Sequence, residues 1–159
     1  MRLRVAEPAD AAAMSRVLAE IIIATGRDRP HGRDVVLERY IRNPAGIRCT
    51  LAVDDDGGAL GFQSLIRALP GNPYDVAAGW GIVGTHIAPR AHRMGVGRAL
   101  FAASRAAAEA AGLIAIDAYI GANNPTAQAY YAAMGFRTYR EPDGIVQKMF
   151  SLRGDLAPT

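Results

Sequence analysis

Residues Trp80 to Leu100, WGIVGTHIAPRAHRMGVGRAL, decide how the rest of the chain is read. An apolar, strand-like run from Gly81 to Ala88 meets Pro89, then a loop carrying Arg90, His92 and Arg93. Gly95 and Gly97 follow, and a long alanine-rich segment begins between them. The first N–H groups of a helix lack partners within it and carry partial positive charge. Cations are out of place there, yet Arg90, Arg93 and Arg98 crowd this start. A bound anion, cradled by backbone N–H groups and side-chain cations together, resolves the conflict. A tight strand-to-helix turn with hydrated arginines is the alternative reading. Two common phosphate binders are excluded: no Lys-Ser/Thr pair follows the second glycine, as a P-loop requires. A dinucleotide fingerprint would need a third glycine where Leu100 stands.

Composition bounds what this loop can serve. The 159 residues suit one domain with a real core, expected over residues 1–153 with a short tail at 154–159. Half of the residues are hydrophobic and 21% are charged, an ordinary soluble mix. No apolar run is long enough to span a membrane, and MRLRVAEPAD lacks the apolar core of a signal peptide. A cytoplasmic protein is the expectation. Cys49 is the only cysteine, which excludes an intrachain disulfide and argues against a cysteine metal cage. His31, His86 and His92 lack metal-ligand spacing, and no metal is expected. The net charge of +3 is spread along the chain without a dense Lys/Arg block, so nucleic acid is not indicated.

Outward from the loop, periodicity and turn residues predict the remaining elements. Arg2 to Val5 reads as a strand, and Asp10 as the N-cap of a helix to about Ile23. A second helix is expected from Arg33 to about Arg42. Ile47 to Val53 and Ala59 to Leu69 are strands joined by Asp54-Asp55-Asp56-Gly57-Gly58, a hairpin signal. Trp80 to Ala88 is a strand, Val96 to Ala111 a helix closed by Gly112, and Leu113 to Ile120 a strand. Pro125 to Met134 is helical, and Phe136 to Arg140 pairs with Ile145 to Leu152. The order β-α-α-β-β-β-α-β-α-β-β predicts a mixed α/β sheet with helices on both faces.

A second constellation is NNPTAQAYYAAMGF, residues 123–136. Asn124 is a natural N-cap with Pro125 at the first helical position. Ala127, Tyr130, Tyr131 and Met134 share one helix face, which alone reads as a core stripe.

Taken together, the two constellations resemble the GCN5-related N-acetyltransferase (GNAT) family over nearly the whole chain. That family's phosphate loop reads Arg/Gln-x-x-Gly-x-Gly/Ala, matched by His92-Arg93-Met94-Gly95-Val96-Gly97 with His92 in the Arg/Gln position. Its later motif is matched by Asn124, Ala127, Tyr131, Gly135 and Phe136. The resemblance implies a mostly antiparallel sheet whose central parallel strands, Trp80–Ala88 and Leu113–Ile120, splay apart to admit acetyl-CoA. It implies that backbone of Thr85, His86 and Ile87 pairs with the pantetheine arm and that amides of Arg93, Met94, Gly95, Val96, Gly97 and Arg98 hold the pyrophosphate. His92 and Asn124 would lie beside the cofactor, and Tyr131 would protonate the leaving thiolate. A phenol stays protonated at neutral pH, as that role requires.

The acceptor side is less legible. The strand that in the family often carries a glutamate has no carboxylate here. His86 titrates in the right range but reads first as structural. Asp117 and Tyr119 share one face of the next strand, while Glu20, Glu38 and Asp75 have no better warrant. Cys49 sits among apolar residues and reads as a small buried hydrophobe, and Trp80 as packing under the sheet. Arg27, Arg29 and Arg33 fall between the first two helices, where the family builds part of its acceptor pocket. They suit a carboxylate-bearing acceptor, or else a solvated loop paired with Asp28 and Asp34. The expected function is transfer of acetyl from acetyl-CoA to a small-molecule primary amine, such as an amino acid. Acetylation of a protein or peptide and non-catalytic acyl-CoA binding are the alternatives. No nucleic acid or membrane partner is expected, and the C-terminal strand offers an edge for a homodimer.

Overall fold

The computed structural model describes residues 1–154, so the predicted tail lies outside them except for Gly154. In chain order the elements are β1 (Arg2–Val5), α1 (Ala11–Thr25), α2 (Arg33–Val36), β2 (Gly46–Val53), β3 (Ala59–Arg67), β4 (Gly81–Ile87), α3 (Val96–Ala110), β5 (Ala115–Gly121), α4 (Pro125–Ala133), β6 (Arg137–Arg140) and β7 (Ile145–Ser151). The helix predicted from Arg33 is present, but it widens into a π-turn over Leu37–Ile41. Asp10 stands at the N-cap of α1 without capping it by its side chain. Its carboxylate instead takes a 2.7 Å bond from the Glu7 N–H and a 2.8 Å ion pair with Arg4.

The strands form one seven-stranded sheet in the order β1-β2-β3-β4-β5-β7-β6. Every pairing is antiparallel except β4 with β5. The crossover through α3 requires that exception, because a helix between two neighbouring strands returns the chain in the same direction. β7 is flanked by β5 along its whole length and by the short β6 over Gln147–Met149. Among the described residues the sheet's outermost strands are β1 and β6.

Side-chain alternation splits the core between the two faces. Leu65, Val83, Ile116, Ala118 and Ile120 pack with Phe101 and Ala108 of α3 and Tyr131 of α4. Leu60 and Phe62 pack with Met14, Val17 and Leu18 of α1 and with Val36. Cys49 is buried in that second cluster, as expected, and burial pushes its thiol up to about 12. It is not a nucleophile at neutral pH. Among the described residues no helix is long and apolar enough to cross a membrane, and no group of three His, Cys, Asp or Glu side chains is placed to hold a metal ion.

Candidate active site

The site begins where the sheet opens. β3 and β4 pair along the whole of β4, Gly81 to Ile87. β4 and β5 pair only at Gly81↔Ile116, Ile82↔Asp117 and Val83↔Ala118. Beyond Val83 a cleft separates them. The Ala88 N–H bonds to Leu60 O at 2.9 Å, so Ala88 turns its backbone toward β3. Because direction alternates along a strand, Gly84 and His86 also face β3, whereas Thr85 and Ile87 face the cleft. This corrects one expectation: of Thr85, His86 and Ile87, the middle residue has its backbone engaged by β3 and cannot offer it to a ligand.

One end of the cleft is walled by His92, Arg93, Gly95, Val96, Gly97 and Arg98, with Thr126 and Tyr130 opposite. Arg93 and Gly95 both take left-handed backbone, φ 67° and 77°, and aim the turn into the start of α3. The two glycines differ in purpose. A Cβ on Gly95 would meet nothing within 4 Å, so its requirement is conformational. A Cβ on Gly97 would lie 2.6 Å from Cε1 of Tyr130, so its requirement is space for that ring. Met94 is exposed, while the Val96 side chain is buried in the core. Only two of the three arginines that posed the sequence puzzle remain at this end. Arg90 reaches away: its Nη2 donates to Ala59 O at 2.6 Å, and its Nε lies 3.9 Å from Glu20.

Mid-cleft lie Thr85, Asn124, Ala127 and Tyr131. Asn124 caps α4, its Oδ1 accepting from the Ala127 N–H at 3.1 Å. Tyr131 is 5% exposed, and its hydroxyl lies 2.7 Å from Thr85 Oγ1. Burial pushes its pKa up, which keeps the phenol protonated. The helix face predicted for α4 thus points into the sheet, with both tyrosines reaching the cleft wall.

The other side of the cleft opens into a cavity of about 500 Å³ lined by Arg29, Tyr40, Asn43, Ser64, Tyr74, His86 and Tyr119 among others. Its lining has no carboxylate; Asp28 borders only the adjoining cleft. His86 packs in a triangle of rings with Tyr40 and Phe62, whose centroids lie 5.3 and 4.9 Å away. Burial, reinforced by the Arg29 cation, lowers its pKa to about 3. Its Nδ1 faces Arg29 Nη1 at 3.4 Å; a guanidinium only donates, so Nδ1 accepts. The neutral ring then carries its proton on Nε2, and His86 is a donor here rather than a base. Asp117 and Tyr119 share a face, as predicted, but only Tyr119 lines the cavity. Asp117 is fully buried and accepts from Tyr139 Oη at 2.6 Å and Gln147 Nε2 at 3.1 Å. Desolvation raises it to about 6 against the opposing pull of those bonds. Trp80 packs on Tyr139 at 5.4 Å.

Arg29, together with Arg39, supplies the cavity's charge. Arg29 donates to Tyr40 Oη at 2.9 Å, and its Nε is buried without a partner among the described residues. The expected pairing with Asp28 or Asp34 is absent: among the described residues neither forms an ion pair, and Asp28 accepts only from the Arg29 backbone N–H. Sequence reasoning did not single out Tyr40, Asn43, Ser64, Tyr74 or Gln63. Gln63 alone left a signal, as a glutamine in the centre of the apolar strand ALGFQSLIR.

Known proteins share this architecture. The chain superposes on a GCN5-related N-acetyltransferase from Kribbella flavida with TM-score 0.73 at 24% identity, covering 95% of this chain and 97% of that one. It superposes on yncA from Salmonella typhimurium, solved with its cofactor acetyl-CoA, with TM-score 0.75 at 19% identity and coverage of 99% and 97%. A ribosomal-protein-alanine N-acetyltransferase from Brucella melitensis gives TM-score 0.72 at 19% identity, covering 96% and 100%. A search of curated protein sequences returns no match. The sequence model of the Acetyltransferase (GNAT) family matches residues 16–136, from within α1 to the end of the Tyr131–Phe136 motif. With both motifs meeting across one splayed strand pair, the chain belongs to the GNAT family of acetyltransferases.

Proposed function

We propose that this protein transfers the acetyl group of acetyl-CoA to the primary amine of a small molecule that carries a carboxylate, of the amino-acid type. The residues present fit the donor. Thr85 and Ile87 turn their backbone groups into the cleft, toward an extended amide-bearing arm, as a strand would. The loop of residues 93–98 offers amides and two exposed cations to a pyrophosphate. Acetyl-CoA supplies the activated thioester. The amine nitrogen bonds to the acyl carbon, the carbon–sulfur bond breaks, and the Tyr131 proton passes to the departing sulfur. The amine's own proton leaves to water, because no side chain in the cavity lining is a competent base.

One observation carries the acceptor class: Arg29 stands in a cavity whose lining has no carboxylate, and among the described residues it has no ion-pair partner. A partly buried guanidinium costs free energy until an anion meets it. An acceptor carboxylate on Arg29 would leave the amine to reach across Tyr119 toward Thr85 and Tyr131.

The test is thiol release from acetyl-CoA with the common L-amino acids, each set beside its decarboxylated amine. Acetylation of the acids, with the decarboxylated amines slower by at least tenfold, is expected. An Arg29→Gln variant should lower kcat/KM for the acids by roughly 10- to 100-fold, the size of one charged hydrogen-bonded contact. Preference for decarboxylated amines or for peptide N-termini would refute the acceptor assignment. Absence of thiol release with every amine would refute transfer itself.

A further inference from the structure

Five polar groups run in an unbroken line from the phosphate loop to the candidate acid. Tyr130 Oη lies 2.7 Å from Gly97 O. Gln63 Nε2 lies 3.0 Å from Tyr130 Oη and 2.8 Å from Thr85 Oγ1. Thr85 Oγ1 lies 2.7 Å from Tyr131 Oη. Gln63 is itself fully buried, and it lines neither the cleft nor the acceptor cavity.

The first bond sets the direction of the two that follow it, as far as Thr85 Oγ1, while the bond from Thr85 Oγ1 to Tyr131 Oη admits either donor. A carbonyl oxygen only accepts, so Tyr130 gives its single proton to Gly97. Whatever faces Tyr130 Oη from Gln63 must then donate, which fixes that atom as the amide nitrogen. The same nitrogen spends its second proton on Thr85 Oγ1. The proton of Thr85 is therefore not drawn toward Gln63 and is free to go to Tyr131 Oη. When it does so, the proton of Tyr131 has no acceptor among the described residues and is available to the cleft. Because Thr85 Oγ1 already accepts from Gln63, it is a poorer second acceptor for the phenol's proton and a better donor of its own.

We propose that Gln63 is a positioning residue that polarises the chain Gly97–Tyr130–Gln63–Thr85–Tyr131 so that the Tyr131 proton is presented to the leaving sulfur. The proposal rests on the acetyl-transfer reading above and assigns a role inside it. Its consequence is that Gln63 acts on turnover while touching neither substrate. As Tyr131 loses its proton to sulfur, the resulting phenolate accepts from Thr85, which continues to accept from Gln63. Tyr131 then recovers a proton from solvent after the thiol departs.

The experiment is a double-mutant cycle on turnover with acetyl-CoA and the best amine of the panel. Gln63→Met is nearly isosteric and removes both donors; Thr85→Val removes the intermediate hydroxyl, and Thr85→Ser restores it. Gln63→Met and Thr85→Val should each lower kcat roughly tenfold, the worth of a hydrogen bond made in the transition state, with KM for acetyl-CoA within about twofold. Thr85→Ser should keep at least half of the parent kcat. In a Tyr131→Phe background, Gln63→Met should cause no further loss, because the proton it aims is gone. A purely structural Gln63 would give equal losses in both backgrounds, and that additivity overturns the proposal. Parent-like kcat in either Gln63→Met or Thr85→Val also overturns it, while leaving acetyl transfer intact. An inactive parent protein would instead refute the transfer reading and the relay together. If Gln63→Met fails to fold by circular dichroism, the Thr85→Val and Thr85→Ser pair in both backgrounds decides the question.

Discussion

Replacing Gly97 by alanine sets two opposite effects against each other, and the geometry decides between them. Alanine is favoured over glycine in a helix by about 1 kcal/mol, and Gly97 lies in the first turn of α3. The added Cβ, however, would sit 2.6 Å from Tyr130 Cε1 and 3.0 Å from Ile87 Cδ1. Carbon atoms prefer about 3.5–4.0 Å, so the Tyr130 ring must retreat by roughly 1 Å. Overpacking of this kind costs about 1–3 kcal/mol. The retreat also strains the Tyr130 bonds to Gly97 O and from Gln63, each worth about 0.5–1.5 kcal/mol. The clash outweighs the propensity, and Gly97→Ala should be less stable by about 1–5 kcal/mol in urea unfolding. The same substitution in a Tyr130→Ala background should become neutral or stabilising, because little but the propensity gain remains. Gly95→Ala should cost about 1–2 kcal/mol from its left-handed backbone alone, in both backgrounds. A Gly97→Ala protein as stable as its parent would refute the assignment of Gly97 to ring packing.

Other outcomes follow from the site. Tyr131→Phe should lower kcat by about 100-fold or more, a general acid's usual share, with little change in acetyl-CoA affinity by calorimetry; unchanged turnover would remove Tyr131 from the chemistry. Arg98→Gln should weaken acetyl-CoA binding several-fold, by about 1 kcal/mol, whereas Arg90→Gln should not, since Arg90 is held by Ala59 and Glu20. Asp117 is ordinarily ionised above pH ~4 in the unfolded chain but only above about 6 when folded. The unfolded state releases that proton first, so this group's contribution to stability falls as pH rises from about 4 to about 6 and is flat beyond. Unfolding free energies across that window should show the slope, and Asp117→Asn should abolish it. Cys49 should resist thiol reagents until the chain is unfolded, and Cys49→Ala should leave turnover unchanged.

What the sequence disclosed and what it hid divide along contact range. The β4–loop–α3 unit was legible because its signals are local: an apolar run, Pro89, two glycines, then alanines. Asn124 and Pro125 announced α4 for the same reason. The strand face shared by Asp117 and Tyr119 followed from alternation. The destination of Arg90 was hidden, because its partner Ala59 lies at the start of β3, 31 positions earlier. Likewise Arg29 was visible as a charge between two helices, but its cavity is closed by Tyr40, His86 and Tyr119 from three other elements. The π-turn at Leu37–Ile41 departs from the helical period on which the prediction rests. The Gln63 chain joins β3, β4, α3 and α4, and no one-dimensional pattern encodes such a meeting.

The early parting of β4 from β5 gives a single strand two chemical clocks. Alternate amides of β4 are locked against β3, while those of Thr85 and Ile87 open on the cleft. Measured by deuterium exchange, neighbours one peptide apart should differ by orders of magnitude in protection, even though the strand as a whole is rigid. Addition of a ligand that pairs with the open side should slow Thr85 and Ile87 and leave Gly84 and His86 nearly as they were. Occupancy of the cleft could then be read from two amide signals, with no acceptor amine present and no turnover required.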